Sequence, residues 1–418
     1  MRKRILLRAP LLTRRGYGEQ SRFALRALRS RPDLFDIYIQ PLQWGQTSWI
    51  SEEDEEKLWI DNVIEKTIAY LQQGGTFDAS IQVTIPNEWD QAAPVNIGFT
   101  AGMETTRVAH QWILKGNEMD KIFVVSNHSR DTYRNSAYGA TNNQTGEKVE
   151  LRLQTPIVTT NYPVKDHGKP LDLGIELECD FNFLAMAQFG PRKNLPNTVK
   201  WFIEEFHDEE VGFVLKTNIA KNCLMDRERL LNDIRGLVRQ YPDKKCKIYL
   251  LHGDMSDAEI HSLFEHPDIH AFITLTHGEG FGLPVFEAAY TGIPIVAPGW
   301  SGQLDFLVNK QTGNSEFYNV EYDIQPVPPE VVWEGVIIAE SMWSYPREHS
   351  AKQQMRRCYA DLTGDNKEQT LDKVASHAGY LEEVFSPQNQ YGLMVAEICD
   401  SLGMTTKAVE DQIVLEFD

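Results

Sequence analysis

The chain has 418 residues, 42% of them hydrophobic and 24% charged, an ordinary composition for a globular protein and a comfortable length for two domains. No run of eighteen or more apolar residues occurs, and the start, MRKRILLRAPLLTRR, lacks the apolar core and cleavage site of a signal peptide, so a cytoplasmic location is expected. Five scattered cysteines without CxxC spacing indicate neither a disulfide framework nor a zinc site, and the formal net charge of -19 argues mildly against a nucleic-acid partner.

In chain order, residues 4–9 read as a first strand, 11–18 as the loop after it and 19–30 as a helix. A glycine turn between strand and helix is the opening of a nucleotide-binding fold. DIYIQPL (36–42) is a second strand, and Ser51 with Asp54 resembles a capping box before a helix running to Gln73. IQVTIP, VNIGFT and KIFVVS are short apolar strands separated by helical or loop segments, the alternation of a parallel sheet. Residues 1–168 are therefore expected to form a doubly wound α/β domain. Within it, 134–163 is polar and turn-rich, with Gly146 ahead of an alternating VELRL, and reads as an inserted loop with a hairpin.

LDLGIELECD marks the linker into a second α/β domain, 169–345, with strands at FNFLAMA, VGFVLKT, CKIYLLHG, HAFITLT and IPIVAP. Beyond Trp343 the pattern is predominantly helical, giving a terminal segment over 346–418.

Charge is unevenly placed. Residues 1–31 hold ten Lys or Arg against one acid, Glu19, a local charge of +9. Such asymmetry suggests an anionic partner. Arg22, Arg26 and Arg29 also fall at helical spacing, which a solvated face would explain equally well.

The most informative segment is AFITLTHGEGFGLPVFEAAYTGIPIV, residues 271–296, which reads as strand, glycine-rich turn, helix and strand. Glycines let backbone approach a phosphate, and a helix start with Pro284 in its first turn offers unpaired N–H groups and a positive dipole end. Glu279 and Glu287 flank this turn, eight residues apart. Carboxylates beside a phosphate site repel it unless they point at hydroxyls, so a sugar or ribose is the natural ligand.

HGEGFGLPVFEAAYTGIPIVAPGWSGQLDFL resembles the signature of family-4 retaining glycosyltransferases of the GT-B fold, with their Glu-x7-Glu pair. AMAQFGPRKNLPNTVKWFIEEF, VGFVLKTN and GYGEQSRFALRAL extend the resemblance over most of the chain in the right order. The order makes it specific, since a lone Glu-x7-Glu recurs by chance. The resemblance implies two doubly wound Rossmann-like domains with a cleft between them, and terminal helices that pack back across the domain junction. It implies a nucleotide-diphosphate sugar as donor, with no other cofactor.

Residue by residue, the resemblance makes Glu287 the ribose-binding acid and Glu279 the acid that contacts the donor sugar. Lys193 and Lys216 match basic positions that stabilise the departing diphosphate, with Arg192 adjacent. Gly280, Phe281, Gly282 and Leu283 form the phosphate-binding turn, and Gly18 belongs to the donor side of the first glycine loop. Two positions depart from the pattern. Gln188 stands where many members carry an arginine, which leaves more of the load on the lysines. The histidine expected after the central strand of the first domain is missing, because His110 lies too far along; Glu104 and Thr105 are nearer, and Glu104 is the candidate. The loop Leu11–Gly18, with Arg14, Arg15 and Tyr17, faces the acceptor in this reading. No DxD pair sits in a credible position, so the lysines and helix start are expected to replace a metal.

Two basic residues in the acceptor loop point to phosphate. A lipid-linked or cell-envelope glycan at a membrane surface fits, and so does DNA bearing a hydroxylated base, as for phage DNA-modifying transferases. A sugar-nucleotide epimerase of the same fold and a non-catalytic binding module are the competing readings. Nothing resembles the pyridoxal-lysine segment of the phosphorylases.

Overall fold

Apolar runs bounded by glycine and turn residues form two parallel six-stranded sheets, each covered by helices. The structure is a computed structural model that describes residues 2–14, 16–44, 50, 54–141 and 146–404. These fall into two compact units: 2–163 with 327–341 and 385–404, and 164–326 with 342–384.

The first unit opens with β1 (Lys3–Ala9), α1 (Gly16–Arg29), β2 (Phe35–Pro41), α2 (Glu55–Gln72), β3 (Ala79–Val83) and β4 (Val95–Thr100). It continues through α3 (His110–Gly116), β5 (Lys121–Val124), α4 (Asn127–Asn135), the antiparallel hairpin of β6 (Tyr138–Thr141) and β7 (Lys148–Leu151), and β8 (Ile157–Thr159). The sheet order is β2-β1-β3-β4-β5-β8, all parallel. Residues of β3 and β5 are buried throughout, as strands covered on both faces must be. The hairpin lies where the sequence places an insert, but β8 is the sixth strand of the main sheet and not part of that insert.

Two starts differ from expectation. Helix α1 begins at Gly16, three residues early, because Gly18 packs against the preceding loop: a Cβ there would lie 1.9 Å from the Thr13 carbonyl oxygen. Helix α2 is capped by Asp54, whose carboxylate accepts the Lys57 N–H at 2.7 Å. Ser51 lies outside the described residues.

The second unit runs β9 (Asn182–Met186), α5 (Leu195–Glu205), β10 (Gly212–Lys216), α6 (Leu224–Val238), β11 (Lys247–Leu251), α7 (Asp257–Phe264) and β12 (Ala271–Ile273). Next come α8 (Leu283–Tyr290), β13 (Ile295–Pro298), α9 (Leu304–Leu307), β14 (Tyr318–Val320), the antiparallel pair β15 (Tyr322–Pro326) and β16 (Met342–Pro346), α10 (Glu348–Thr363) and α11 (Lys367–Val384). Its sheet order is β11-β10-β9-β12-β13-β14, all parallel, around a core that includes Phe183, Phe202, Phe206 and Phe213.

The terminal helices divide. Helix α10 packs on α5 and α11 on α8, within the second unit. Only α12 (Pro387–Ser401) belongs to the first, where it packs on α1 and Tyr391 lies 6.0 Å from Phe23. Residues 327–341 also join the first unit: Val336 enters its core, and the Gly335 carbonyl accepts from Asn87 Nδ2 at 3.1 Å.

Candidate functional site

In an open parallel sheet, ligands bind outside the carboxyl ends of the strands where the chain order reverses. In the second unit that point lies between β9 and β12. The two segments that flank it are Gly190–Asn194, after β9, and 274–282, after β12.

The second segment is held from several directions. Gly282, at φ 100°, caps α8 in the left-handed region, with Pro284 in the first turn. Ser301 is also left-handed (φ 73°), and its Oγ accepts the Glu279 N–H at 2.9 Å. The Gly302 N–H donates to the Glu279 carbonyl at 3.0 Å, and a Cβ on Gly302 would come within 2.0 Å of the Gly280 oxygen. This loop needs glycine at 302. His277 supplies the other anchor. Its N–H donates to the Arg192 carbonyl (2.8 Å), its Nδ1–H to the Ser344 carbonyl (2.6 Å), and its ring stacks on Trp343 at 5.0 Å. Burial lowers its pKa and so favours the neutral ring.

The charges converge on one atom group. Glu279 is 6% exposed; Lys193 Nζ contacts its Oε1 and Arg192 Nη1 its Oε2, the latter at 3.1 Å. Burial pushes its carboxyl up, but the two cations outweigh burial and hold it at about 2. Lys193, assigned to the diphosphate, and the adjacent Arg192 are thus already engaged with the acid assigned to the sugar, whereas Lys216 is not. A buried carboxylate left alone would be too costly. Arg192 also donates to the Gly278 carbonyl at 2.5 Å, tying the two segments together across the switch point.

The remaining donor-side candidates are dispersed. Glu287 is half-buried on α8, one turn beyond Leu283 and on the same face. Phe281 offers only backbone, because its ring packs against Phe286 and Phe306 at 5.1 and 4.9 Å. Lys216, at the end of β10, is buried and donates to the Gly253 carbonyl, on the β11 side and so away from the 190–194 segment. Burial lowers its pKa. Asp226 shapes the neighbouring loop by accepting the N–H groups of Ile219, Ala220 and Lys221 and a hydrogen bond from His252 Nε2. Asp226 is marked by no local sequence signal, and His277, although it opens the glycine-rich segment, acts through partners distant in the chain.

The first unit reverses strand order between β1 and β3. Gly18 packs on Thr13 inside α1, a helix–loop contact rather than an open phosphate-binding turn. The Tyr17 hydroxyl meets Thr100 Oγ1 at 2.8 Å at the end of β4, and its ring lies 4.6 Å from Trp44. Burial raises the Tyr17 pKa. Glu104 is half-buried in the turn after β4, and His110 is exposed at the start of α3. Arg14 is half-buried, and Arg15 lies outside the described residues.

The basic segment is largely consumed inside the unit. Arg22 is buried and donates to the carbonyls of Leu11 (2.7 Å) and Thr13 (3.0 Å). Arg26 forms a two-pronged bond to Glu56, Arg29 lies 4.4 Å over the Trp59 ring, and Arg31 pairs with Asp33. Arg4 pairs with Asp78, and Arg8 donates to Gln82 and the Glu88 carbonyl. Six of the ten basic residues of this segment thus have partners inside the unit.

Two doubly wound units of this kind define the GT-B class of fold. No family model matches the chain, and no curated protein matches it. Among solved structures, a glycosyltransferase from Rickettsia africae superposes with a TM-score of 0.61 at 11% identity, covering 97% of this chain and 100% of that one. Sucrose-phosphate synthase from Thermosynechococcus elongatus gives 0.59 at 12% identity, covering 96% and 99%. HepE from Anabaena, solved with UDP and glucose, gives 0.55 at 11% identity, covering 96% and 100%. At such identities the likeness establishes the shared fold.

Proposed function

We propose that the chain is a retaining, metal-independent glycosyltransferase that moves a sugar from a nucleotide diphosphate to an acceptor hydroxyl. The observation that carries this reading is the convergence of Arg192, Lys193 and the α8 start on the ionised Glu279, at the switch point of the second sheet. In this proposal Glu287 accepts the ribose hydroxyls and Glu279 a hydroxyl of the donor sugar. The amides that open α8, including that of Leu283, receive the diphosphate with Arg192 and Lys193, which Glu279 holds in place before the ligand arrives. Lys216 adds positive charge one strand further along the same edge. As the bond from C1 to the diphosphate breaks, the acceptor oxygen bonds C1 on the same face and its proton passes to a diphosphate oxygen. Glu104 is assigned to the acceptor side.

That HepE was solved with UDP and glucose, and the trehalose-6-phosphate protein of E. coli with UDP-2-fluoro glucose, supports a uridine nucleotide as the first donor to test. The test is a panel of sugar nucleotides, scored for nucleoside diphosphate release and for the anomeric configuration of the product by NMR. Inversion at C1 refutes retention, an isomerised nucleotide sugar identifies the epimerase, and neither binding nor turnover of any donor leaves only a binding module.

For the acceptor, an anionic group, on a membrane-surface glycan or on DNA, is proposed to meet Arg14 and Arg15 of the loop that faces it. Neutralising both should weaken acceptor binding and leave donor binding intact, with a loss that shrinks as salt rises. Duplex DNA and anionic vesicles are tested side by side; binding to neither removes the anionic acceptor from the proposal.

A further inference from the structure

Beside β14, the edge strand of the second sheet and the third strand from the switch point, lies a cavity of about 380 Å³. It is walled by α10 and α11 and belongs to none of the loops described above. Its volume is at the lower end of small-molecule sites. Side-chain amides and a hydroxyl (Gln354, Asn366, Gln369, Thr370) alternate with the Tyr318 ring and with apolar surface from Ile295 and Val374.

The charges in this cavity cancel. Glu316 pairs with Lys373 at 3.1 Å, and Asp361 lies 3.7 Å from Arg357 while accepting from the Tyr318 hydroxyl (3.0 Å) and Asn366 Nδ2 (3.1 Å). The Glu316 side chain is only 8% exposed and meets the Lys373 ammonium as an ion pair. An anionic ligand would meet two carboxylates. A neutral ligand rich in hydroxyls would instead pair with the amides and lay its apolar face on Tyr318.

We propose that this cavity is a binding site for a neutral carbohydrate of one or two rings, separate from the donor loops and independent of the activity assigned to them. The experiment titrates glucose and maltose into the full chain without nucleotide, by calorimetry and saturation-transfer NMR, in the wild type and in two variants at the exposed Gln369. Wild-type binding in the millimolar range is expected, with Gln369→Trp lowering affinity at least about tenfold by filling the cavity and Gln369→Ala lowering it less. Thermal unfolding without sugar should be the same for all three, and glucose 6-phosphate should bind no tighter than glucose. Three results overturn the proposal: no binding of either sugar by the wild type, equal binding by a folded Gln369→Trp, or preference for the phosphorylated sugar.

Discussion

Glu279 remains ionised in a nearly closed environment because two cations from a different loop meet it, and this makes single residues separable by experiment. Its carboxyl is held at about 2 against an ordinary 4.5. A depressed pKa contributes stability that is full above pH 4.5 and lost as pH falls toward 2, so Glu279→Gln should flatten that acid limb in a melting-temperature series across the window. Lys193 and Lys216 should also part company. Lys193→Ala leaves a buried carboxylate short of a cation and should lower both melting temperature and turnover. Lys216→Met removes a cation that burial already disfavours, and should lower turnover with stability unchanged or improved. Equal stability losses in the two variants would refute that distinction. Glu287→Ala should weaken binding of a nucleoside diphosphate by about 1.5–3 kcal/mol, read by calorimetry, and unchanged affinity would place the ribose elsewhere. The two glutamates and the cations were readable because they cluster around glycines in short segments. His277 was not, since Ser344 and Trp343 reach it from a distant hairpin.

Elements were legible where burial on both faces produces an unbroken apolar run. β5, β9, β10 and β13 announce themselves this way, whereas β3 and β4 interrupt their apolar residues with buried Ser80, Gln82 and Asn96. β8 and β14 have only three residues each, and β15 is half exposed with the composition YDIQP, so neither length nor periodicity marks them. The early start of α1 escaped because a glycine pair looks like loop until its packing partner, Thr13, is known. In the donor loop a close backbone approach is that of Gly302 to Gly280. Gly302→Ala should displace the donor loop, costing about 1–3 kcal/mol in urea unfolding and reducing nucleotide affinity with it. A variant that binds nucleotide normally would show that the loop adapts.

The fold of the whole molecule is less legible than its parts, because periodicity says nothing about which unit a helix joins. Helix α12 buries Met394, Val395, Ile398 and Cys399, and Lys121, itself 5% exposed, donates to Glu397 and Asp400 at 2.6 and 2.8 Å. Ending the chain at Phe385 would strip Lys121 of both carboxylates and uncover the face of α1. Such a truncation should abolish the cooperative unfolding of the first unit, seen by protease resistance, while the second unit keeps its own transition.

The way the chain visits the first unit three times bears on its synthesis. Everything the second unit needs has been made once residue 384 is translated, whereas the first still waits for α12. The usual order on the ribosome, amino-terminal domain first, is thereby reversed. The earlier of the two units to emerge is the later to close, and its apolar α1 face waits for a partner until α12 has been made.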